Sequence, residues 1–436
     1  MSNIKPKEAT TIINSLQGGV VPAIGLQHIL VGRSKESNAV LETIQEVEKG
    51  SSSMKFWIGD FGSGKSFMIA LIKQIALKKN FVVASTDFSP EKRLYDNTRK
   101  AVRVYSDLIG SFSIQTNPEG NALSAILESW IDEVMQKTAE ENNIDLFDLR
   151  SVENLPLVKR NILENIKQIT DVGAFEFGEV IAKYYEGFVT ENVELMRMSL
   201  KWLRGEYTTK TEARQDLGVR EIIDDENYYQ MLRNWAKFLV AIGYSGLVIN
   251  LDEAINLYKI IHPATRDKNY EKILNIYNDC MQGRVSNLMI NFGGTKEFLE
   301  DTRRGLFSYD ALRSRLASNQ FETLEVRDYS QPVIKLYPLS NEEIFVLLKN
   351  LKGIFDLHYS TNIDFNEADI QSFMEEVYNR PGAKEFLTPR DVIRDFLKIL
   401  SILRQNPQTD KSHVIKSTDG GNSQGEIEKD GEIELI

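Results

Sequence analysis

A glycine-rich turn between a predicted strand and a predicted helix is the feature that most constrains the fold of this chain. Residues 59–66 read GDFGSGKS, which matches the pattern G-x-x-x-x-G-K-[ST]. The apolar residues FWI (56–58) precede the turn, and a helical pattern that starts near Lys65 follows it. Glycine lets the backbone wrap a phosphate group, because no Cβ atom blocks the inward-pointing amide hydrogens. The pattern therefore predicts a phosphate-binding loop at the carboxyl end of a strand.

The residue types in this loop predict a site for ATP and Mg²⁺. Lys65 would contact the β- and γ-phosphates, and the Ser66 hydroxyl would bind the metal ion. The helix that follows would direct the positive end of its dipole towards the phosphates. A glycine turn without any ligand is the alternative, which the strand–turn–helix context disfavours. The remaining residues of the predicted cofactor-binding loop are Gly59, Asp60, Phe61, Gly62, Ser63, Gly64 and Phe67.

An acidic pair ends a second apolar strand far along the chain. Residues 246–254 read GLVINLDEA, so Asp252 and Glu253 follow a predicted buried strand. Asp252 would be a ligand of Mg²⁺, and Glu253 would polarise the water molecule that attacks the γ-phosphate. Acidic residues at a strand end are common, and the phosphate-binding loop upstream is what favours the catalytic interpretation. We therefore expect Lys65 and Asp252 to meet in one site.

A third apolar strand is predicted beside the strand that ends at Asp252. It lies in residues 287–295, which read NLMINFGGT. A polar residue near its tip would contact the γ-phosphate or orient the water molecule; Thr295 is the first candidate and Asn291 the second. The alternative is a residue that only caps the following loop.

Three arginines are candidates for a cation that stabilises the transition state. Arg313 and Arg315 lie in LRSRLAS, and a neighbouring subunit would present one of them to the γ-phosphate. Arg390 lies in TPRDVIRDFL, at a predicted helix start from which it could reach the phosphates. The alternatives are a pair of arginines on a solvent-exposed helix face and a surface ion pair.

Composition narrows the class of protein. The 436 residues are 42% hydrophobic and 26% charged, as in soluble globular proteins. The net charge of 52 − 63 = −11 argues against broad, non-specific binding of nucleic acid. A single cysteine, Cys280, excludes an intrachain disulfide and a cysteine-based zinc cluster. No apolar run approaches the length of a membrane span and the first residues lack the apolar core of a secretory signal, so we expect a cytoplasmic protein without membrane contact.

Strands that alternate with helices predict an α/β fold with a mostly parallel sheet. Lys65 and Asp252 are 252 − 65 = 187 residues apart. A structureless loop of that length is rare in a compact domain, so the intervening residues should form a helical insertion. We hypothesise that this insertion docks a partner or contacts a substrate; the alternative is that it only adds packing surface. The predicted segments are the first part of the core with the loop (1–95), the helical insertion (96–235), the second part of the core with the acidic pair (236–334), a C-terminal helical lid (335–405) and a disordered acidic tail (406–436).

Taken in order, these features resemble an AAA+ ATPase of the initiator (origin-recognition) type, which is a P-loop NTPase. The loop 59–66 resembles the Walker A motif of that group, and the acidic pair resembles its Walker B motif. The tripeptide VGR (31–33) resembles a short motif that lies near the adenine, which implies Gly32 and Arg33 as nucleotide contacts. The resemblance implies sensor 1, arginine-finger and sensor 2 roles for Thr295 or Asn291, Arg315 and Arg390, respectively.

Several stretches resemble more closely the BREX-type ATP-binding protein family (BrxC/BrxD-like) of bacterial anti-phage defence loci. They are GGVVPAIGLQHILVGR, FWIGDFGSGKSF, ASTDFSPEKRL and TPRDVIRDFL. The resemblance implies ATP binding within a multi-protein defence system.

Residues and resemblance together predict a Mg²⁺-dependent AAA+-like ATPase, a hydrolase that acts as a homo-oligomer with protein partners of a defence system. One alternative is a nucleotide-gated scaffold or signalling switch with slow hydrolysis. The other is a DNA-stimulated ATPase that acts on DNA. The chain has no evident winged helix after the predicted lid, so direct DNA binding is not evident from the sequence.

Overall fold

The computed structural model describes residues 4–169, 175–319, 321, 327–381 and 387–416. The chain divides into two compact units. The larger unit consists of the described residues from 33 to 338, and the smaller unit combines residues 4–32 with the described residues that follow position 338. Within the described residues, no helix is both long enough and apolar enough to span a membrane.

The larger unit is built on a five-stranded sheet whose neighbouring strands are all parallel. The strands follow the order β2-β3-β4-β1-β5 across the sheet. This sheet confirms the predicted α/β class, and β4 lies beside β3 as expected. The strands are β1 (Ser52–Ile58), β2 (Val82–Asp87), β3 (Leu247–Asp252), β4 (Leu288–Gly294) and β5 (Val333–Lys335).

Helices surround the sheet and form the smaller unit. In chain order they are α1 (Pro6–Gln17), α2 (Ser34–Glu48), α3 (Lys65–Lys78), α4 (Lys100–Gly110), α5 (Leu123–Asn142), α6 (Leu155–Ile169), α7 (Phe175–Val189), α8 (Val193–Leu203), α9 (Lys210–Leu217), α10 (Tyr228–Ala241), α11 (Ile255–Tyr258), α12 (Pro263–Met281), α13 (Lys296–Glu300), α14 (Asp310–Leu316), α15 (Asn341–Tyr359), α16 (Glu367–Asn379), α17 (Pro389–Gln405) and α18 (Lys411–Lys416).

The long segment between β2 and β3 contains helices α4 to α10, and it packs directly on the sheet. Helix α4 lies against β2 and helix α10 lies against β3. Trp235 of α10 is fully buried, and its indole contacts the rings of Phe112, Phe177 and Phe238 edge to face. The Trp235 Nε1 also donates to the Tyr105 hydroxyl at 3.0 Å, so the indole has no unsatisfied donor. The helices and the sheet therefore share one hydrophobic core.

The smaller unit differs from the predicted segments at the amino end. We expected residues 1–95 to belong entirely to the ATPase core, but residues 4–32 form a unit with the C-terminal helices. Helix α1 packs on α15 and α17 through an apolar face that includes Ile12 and Ile13. The Thr10 hydroxyl lies 3.1 Å from His358 Nδ1, which adds a polar contact to this packing. Sequence periodicity carries no information about the distant partners of a helix.

The predicted disorder from residue 406 is wrong in its first part. Helix α18 covers Lys411–Lys416, and its Val414 and Ile415 side chains are buried. The Lys411 ammonium contacts the carboxylates of Asp364 and Asp369 at 3.0 and 3.1 Å. A short apolar pair inside a polar stretch was too weak a signal to predict this helix. The rest of the predicted tail, 417–436, lies outside the described residues.

The shared core makes a prediction about stability. Trp235→Ala should lower the free energy of unfolding by about 3–5 kcal/mol, because it removes a large buried ring. Hydrogen exchange should lose protection in both α10 and β3, since both belong to one core. Phe147→Ala is the matched control in the same segment: the Phe147 side chain is 83% exposed, so the effect should stay within about 0.5 kcal/mol. Loss of protection that is confined to the helices would contradict a shared core.

Candidate nucleotide-binding site

The loop after β1 needs glycine for two different reasons. Gly62 and Gly64 have φ angles of +80° and +90°, a region that residues with a Cβ atom rarely adopt. At Gly59 the restriction is space: a Cβ atom would lie 2.6 Å from the Leu336 carbonyl oxygen. Helix α3 begins at Lys65, directly after this turn. The local sequence thus gives a compact loop at a helix N-terminus, as predicted.

Lys65 lies across the loop that precedes it. Its Nζ donates to the carbonyl oxygens of Gly59 and Asp60 at 2.9 and 2.8 Å. Burial lowers the pKa of Lys65, and the nearby carboxylates of Asp252 and Glu253 act in the opposite direction. The ammonium group is therefore held among acceptors at the mouth of the loop, where phosphate oxygens would offer stronger, charge-assisted contacts.

The acidic pair and the loop meet, although they are 186 residues apart. The Ser66 hydroxyl donates to Asp252 Oδ2 at 3.1 Å. The other carboxylate oxygen, Asp252 Oδ1, accepts from the Glu253 amide at 2.8 Å. Both oxygens of Asp252 are thus oriented by neighbours, and a hydroxyl and a carboxylate lie side by side.

Glu253 has an unusual backbone conformation. Its φ angle is +56°, which is uncommon for a residue with a Cβ atom. The turn is fixed on its far side, where the Ala254 amide donates to the Gly293 carbonyl oxygen at 2.9 Å. The Glu253 side chain is exposed at this edge of the sheet. Backbone strain of this kind concentrates at functional sites, where the surrounding structure enforces it.

Thr295 lies at the same edge, directly after β4. The Gly59 amide donates to the Gly294 carbonyl oxygen at 3.1 Å, so the tip of β4 contacts the first residue of the loop. The Thr295 hydroxyl accepts from the Phe298 amide at 3.4 Å and caps α13. Thr295 therefore caps the following helix, as the alternative interpretation predicted. Its position next to the loop is also compatible with a contact to the γ-phosphate or to the attacking water molecule, which stays a prediction.

Asn291, the second candidate, does not reach this edge. It lies three residues before the end of β4 and is fully buried. Its Oδ1 accepts from Trp57 Nε1 at 3.1 Å, and its Nδ2 donates to Asn250 Oδ1 at 3.0 Å. The amide group therefore links neighbouring strands inside the sheet, and the sequence hypothesis of a phosphate contact is wrong for this residue.

Arg313 and Arg315 are not brought to the loop of their own chain, whereas Arg390 belongs to the other unit. Arg313 and Arg315 are exposed on α14, and Arg315 Nε donates to Asn278 Oδ1 at 3.1 Å in the last turn of α12. The Ser52 hydroxyl at the start of β1 donates to the Cys280 carbonyl oxygen of α12 at 3.0 Å, so the last turn of this helix lies towards the amino ends of the strands. Arg390 belongs to the smaller unit, where it is the second residue of α17 and lies beside Gly19.

Gly32 and Arg33 lie on either side of the boundary between the two units. Gly32 has a φ angle of +68°, and a Cβ atom there would overlap the Glu343 carboxylate within the smaller unit. Arg33 is buried in the larger unit, where its Nη2 donates to the Ser63 carbonyl oxygen at 2.8 Å. Its guanidinium group thus contacts the backbone of the loop, which the sequence did not predict.

Two acidic residues near the site were missed by the sequence analysis. Asp87, the last residue of β2, pairs in register with Asp252. Burial raises the pKa of Asp87, and the Asp252 carboxylate raises it further. Glu297 lies at the start of α13 and its carboxylate is electrostatically coupled to the Lys65 ammonium. Both residues stand at or just beyond the end of an apolar strand, which is the signal that could have identified them.

A comparison with protein families is consistent with this site. The family model described as "BREX system ATP-binding protein BrxC/D" matches residues 4–419. The chain belongs to this family. The match confirms the BrxC/D-like resemblance and supports a defence-associated role as an ATP-binding protein. No curated protein matches the chain.

The residues present fit ATP with Mg²⁺ better than a metal ion alone. Among the described residues, no group of three or more His, Cys, Asp or Glu side chains could hold a metal ion. Mg²⁺ typically takes one or two protein oxygens and completes its shell with water and substrate phosphates. The adjacent Ser66 hydroxyl and Asp252 carboxylate match that requirement.

The contacts of Lys65 predict the effect of its removal. Lys65→Ala should weaken ATP binding at least about 100-fold, because charge-assisted contacts to the phosphates are lost. The matched control is Lys78→Ala, in the last turn of the same helix, which should bind ATP like the wild type. Titration calorimetry measures both. An unchanged ATP affinity in Lys65→Ala would count against the phosphate-binding loop.

Proposed function

We propose that this chain is a Mg²⁺-dependent ATPase with an AAA+-like P-loop core, which couples ATP binding and hydrolysis to conformational change in a cytoplasmic anti-phage BREX complex. The observation that carries the proposal is the hydrogen bond between Ser66 and Asp252, which joins the loop to the acidic pair. The family description supplies ATP as the ligand.

The sheet order supports the P-loop assignment. Strand β4 lies between β1, which leads into the loop, and β3, which ends at the acidic pair. The tip of β4 therefore stands between the groups that would hold the phosphates and those that would activate water. A side chain at this tip, for which Thr295 is our candidate, can then face the γ-phosphate.

The residues would divide the reaction between them. Lys65 would bind the β- and γ-phosphates, and Ser66 and Asp252 would hold Mg²⁺, which supplies neutralisation of phosphate charge when bound. Glu253 would accept a proton from the attacking water as its oxygen bonds to the γ-phosphorus and the bond to ADP breaks. The exposed Glu253 carboxylate and its fixed backbone support this role.

Within the larger unit, neither Arg313 nor Arg315 lies at the loop. Arg315 is exposed and contacts the far end of α12 instead. We therefore assign the arginine finger to a neighbouring copy, so that the ATPase works as a homo-oligomer. Arg313 is the alternative finger, and Arg390 of the smaller unit is our candidate for a nucleotide sensor. The helical insertion would contact protein partners of the defence system.

The position of Arg315, away from the loop of its own chain, also favours a second function, a nucleotide-gated switch with slow hydrolysis. An isolated chain without a finger would bind ATP and turn it over slowly, as such switches do. A DNA-stimulated ATPase is the less favoured alternative because the net charge is −11. Stimulation of hydrolysis by added DNA, with a steep dependence on salt, would support it.

Glu253→Gln separates the first two functions. If Glu253 activates water, steady-state hydrolysis should fall at least about 100-fold while ATP still binds, because only the proton acceptor is removed. Glu271→Gln, an exposed position on α12, is the control and should hydrolyse ATP at the wild-type rate. Negligible hydrolysis by the wild type and the variant alike, with ATP bound by both, would favour the switch.

Mixing two inactive variants tests the shared site. Arg315→Ala should reduce hydrolysis and spare ATP binding, since the finger acts on the transition state. When Arg315→Ala is mixed with Glu253→Gln, some active sites combine an intact Glu253 with an Arg315 from the neighbour, so hydrolysis should partly recover. The mixture of Arg313→Ala with Glu253→Gln decides between the two arginines. If neither mixture recovers, the site is completed within one chain.

A further inference from the structure

Arg33 makes an unusual set of contacts for a predicted nucleotide contact. Its side chain is buried, and Nη2 donates to the carbonyl oxygens of Ser63 and Tyr337 at 2.8 and 2.5 Å. Its Nη1 lies 3.5 Å from the carboxylate of Glu36, which is also buried. The guanidinium group is thus occupied by protein acceptors on more than one side, which leaves it poorly placed to read an adenine base.

The contacts of Arg33 lie next to the two points at which the chain passes between the units. The chain passes from one unit to the other after residue 32 and again after residue 338, and we call these two points of the chain the crossings. Arg33 is the first residue of the larger unit, and Tyr337 lies immediately before its last residue. Through contacts that lie entirely within the larger unit, one side chain therefore joins both crossings to the phosphate-binding loop.

The chemistry of the guanidinium group suits this arrangement. A planar fork can donate to two carbonyl oxygens and still face a carboxylate, whereas the ammonium group of lysine is a point charge. Ser63 is the loop residue whose hydroxyl is buried without a hydrogen-bond partner among the described residues, so the bond from Arg33 to its carbonyl is an important restraint on this part of the loop.

We propose that Arg33 is a positioning residue. It fixes the phosphate-binding loop through the Ser63 carbonyl and ties the loop to both crossings, so that nucleotide in the loop and the geometry of the crossings are coupled. The coupling to nucleotide rests on the proposed ATP-binding function, whereas the restraint on the loop does not.

The restraint is tested without nucleotide by hydrogen exchange in the full chain. Arg33→Met should exchange about 10-fold faster in the peptides that cover residues 59–64 and 333–337, because one charged hydrogen-bond donor is lost from both. Since this variant leaves Glu36 buried and unpaired, the double variant Arg33→Met/Glu36→Leu is measured as well. Wild-type exchange in both peptides of either folded variant overturns the proposal.

The matched control is Arg99→Met. Arg99 Nη2 also donates to two carbonyl oxygens, those of Gly205 and Tyr207, but within the helical insertion. Its loss should speed exchange near residues 205–207 and leave the peptides of the loop and of β5 unchanged. If Arg99→Met speeds exchange in those two peptides as much as Arg33→Met does, the effect is general destabilisation and the proposal fails.

Nucleotide affinity separates positioning from base recognition. Arg33→Met should weaken ATP and GTP binding by the same factor of about 10, because a loop that is competent only part of the time binds every nucleotide less tightly. Arg99→Met should bind both as the wild type does. A changed ratio of ATP to GTP affinity in Arg33→Met would assign the residue to the base and overturn positioning. If the wild type binds no ATP, the proposed function fails, and the exchange experiment alone decides the role of Arg33.

Discussion

The close approach of Asp252 to β4 is the constraint on which the candidate site depends. A Cβ atom at Gly293 would overlap the Asp252 carboxylate, so this carboxylate can lie over β4 only because residue 293 is glycine. From there Asp252 reaches Ser66, which is two strands away in the sheet order. Parallel pairing supplies the other half of the geometry, since it brings the carboxyl ends of β1, β3 and β4 to one edge. The site is therefore assembled by the register of the sheet and by a missing side chain as much as by the residues that would perform chemistry.

The charges at this edge support the proposed role of a metal ion in phosphate binding. Lys65 is close to several carboxylates, and those of Asp252, Glu253 and Glu297 all act on its pKa. A triphosphate brought to this loop meets one ammonium group and more than one negative side chain, which opposes binding by charge alone. In the proposed function, Asp252 would help to hold a divalent cation, whose positive charge would reverse that balance. Burial lowers the pKa of Lys65, and these nearby carboxylates act in the opposite direction.

The sequence predicted those parts of the molecule that are encoded locally. The loop at 59–66 and the acidic strand end carry their signals within a few residues, and the pairing of β3 with β4 follows from two adjacent apolar strands. The assignment of α1 to the C-terminal helices could not be predicted, because its partners are hundreds of residues away. Asn291 was misjudged because a polar residue near a strand end looks the same in sequence whether it faces a ligand or a neighbouring strand. Arg33 was placed near the nucleotide by resemblance, but its carbonyl partners depend on how two distant segments fold back on each other.

The helical insertion is connected to the candidate site through hydrogen-bonded backbone. The Phe88 amide donates to the Asp252 carbonyl oxygen at 3.0 Å, so the segment after β2 is bound to the acidic strand end. Six residues later, the Leu94 carbonyl accepts from the Tyr228 hydroxyl of α10 at 2.9 Å, and the Leu94 amide donates to Asn269 of α12. A displacement of the turn at Asp252 must therefore be accommodated by α10, whose apolar face is part of the shared core. Because packed cores resist continuous deformation, such a displacement would shift whole helices and strands and would not be absorbed by a loop. A partner bound to the insertion would act on the candidate site through this rigid connection, which a flexible tether could not provide.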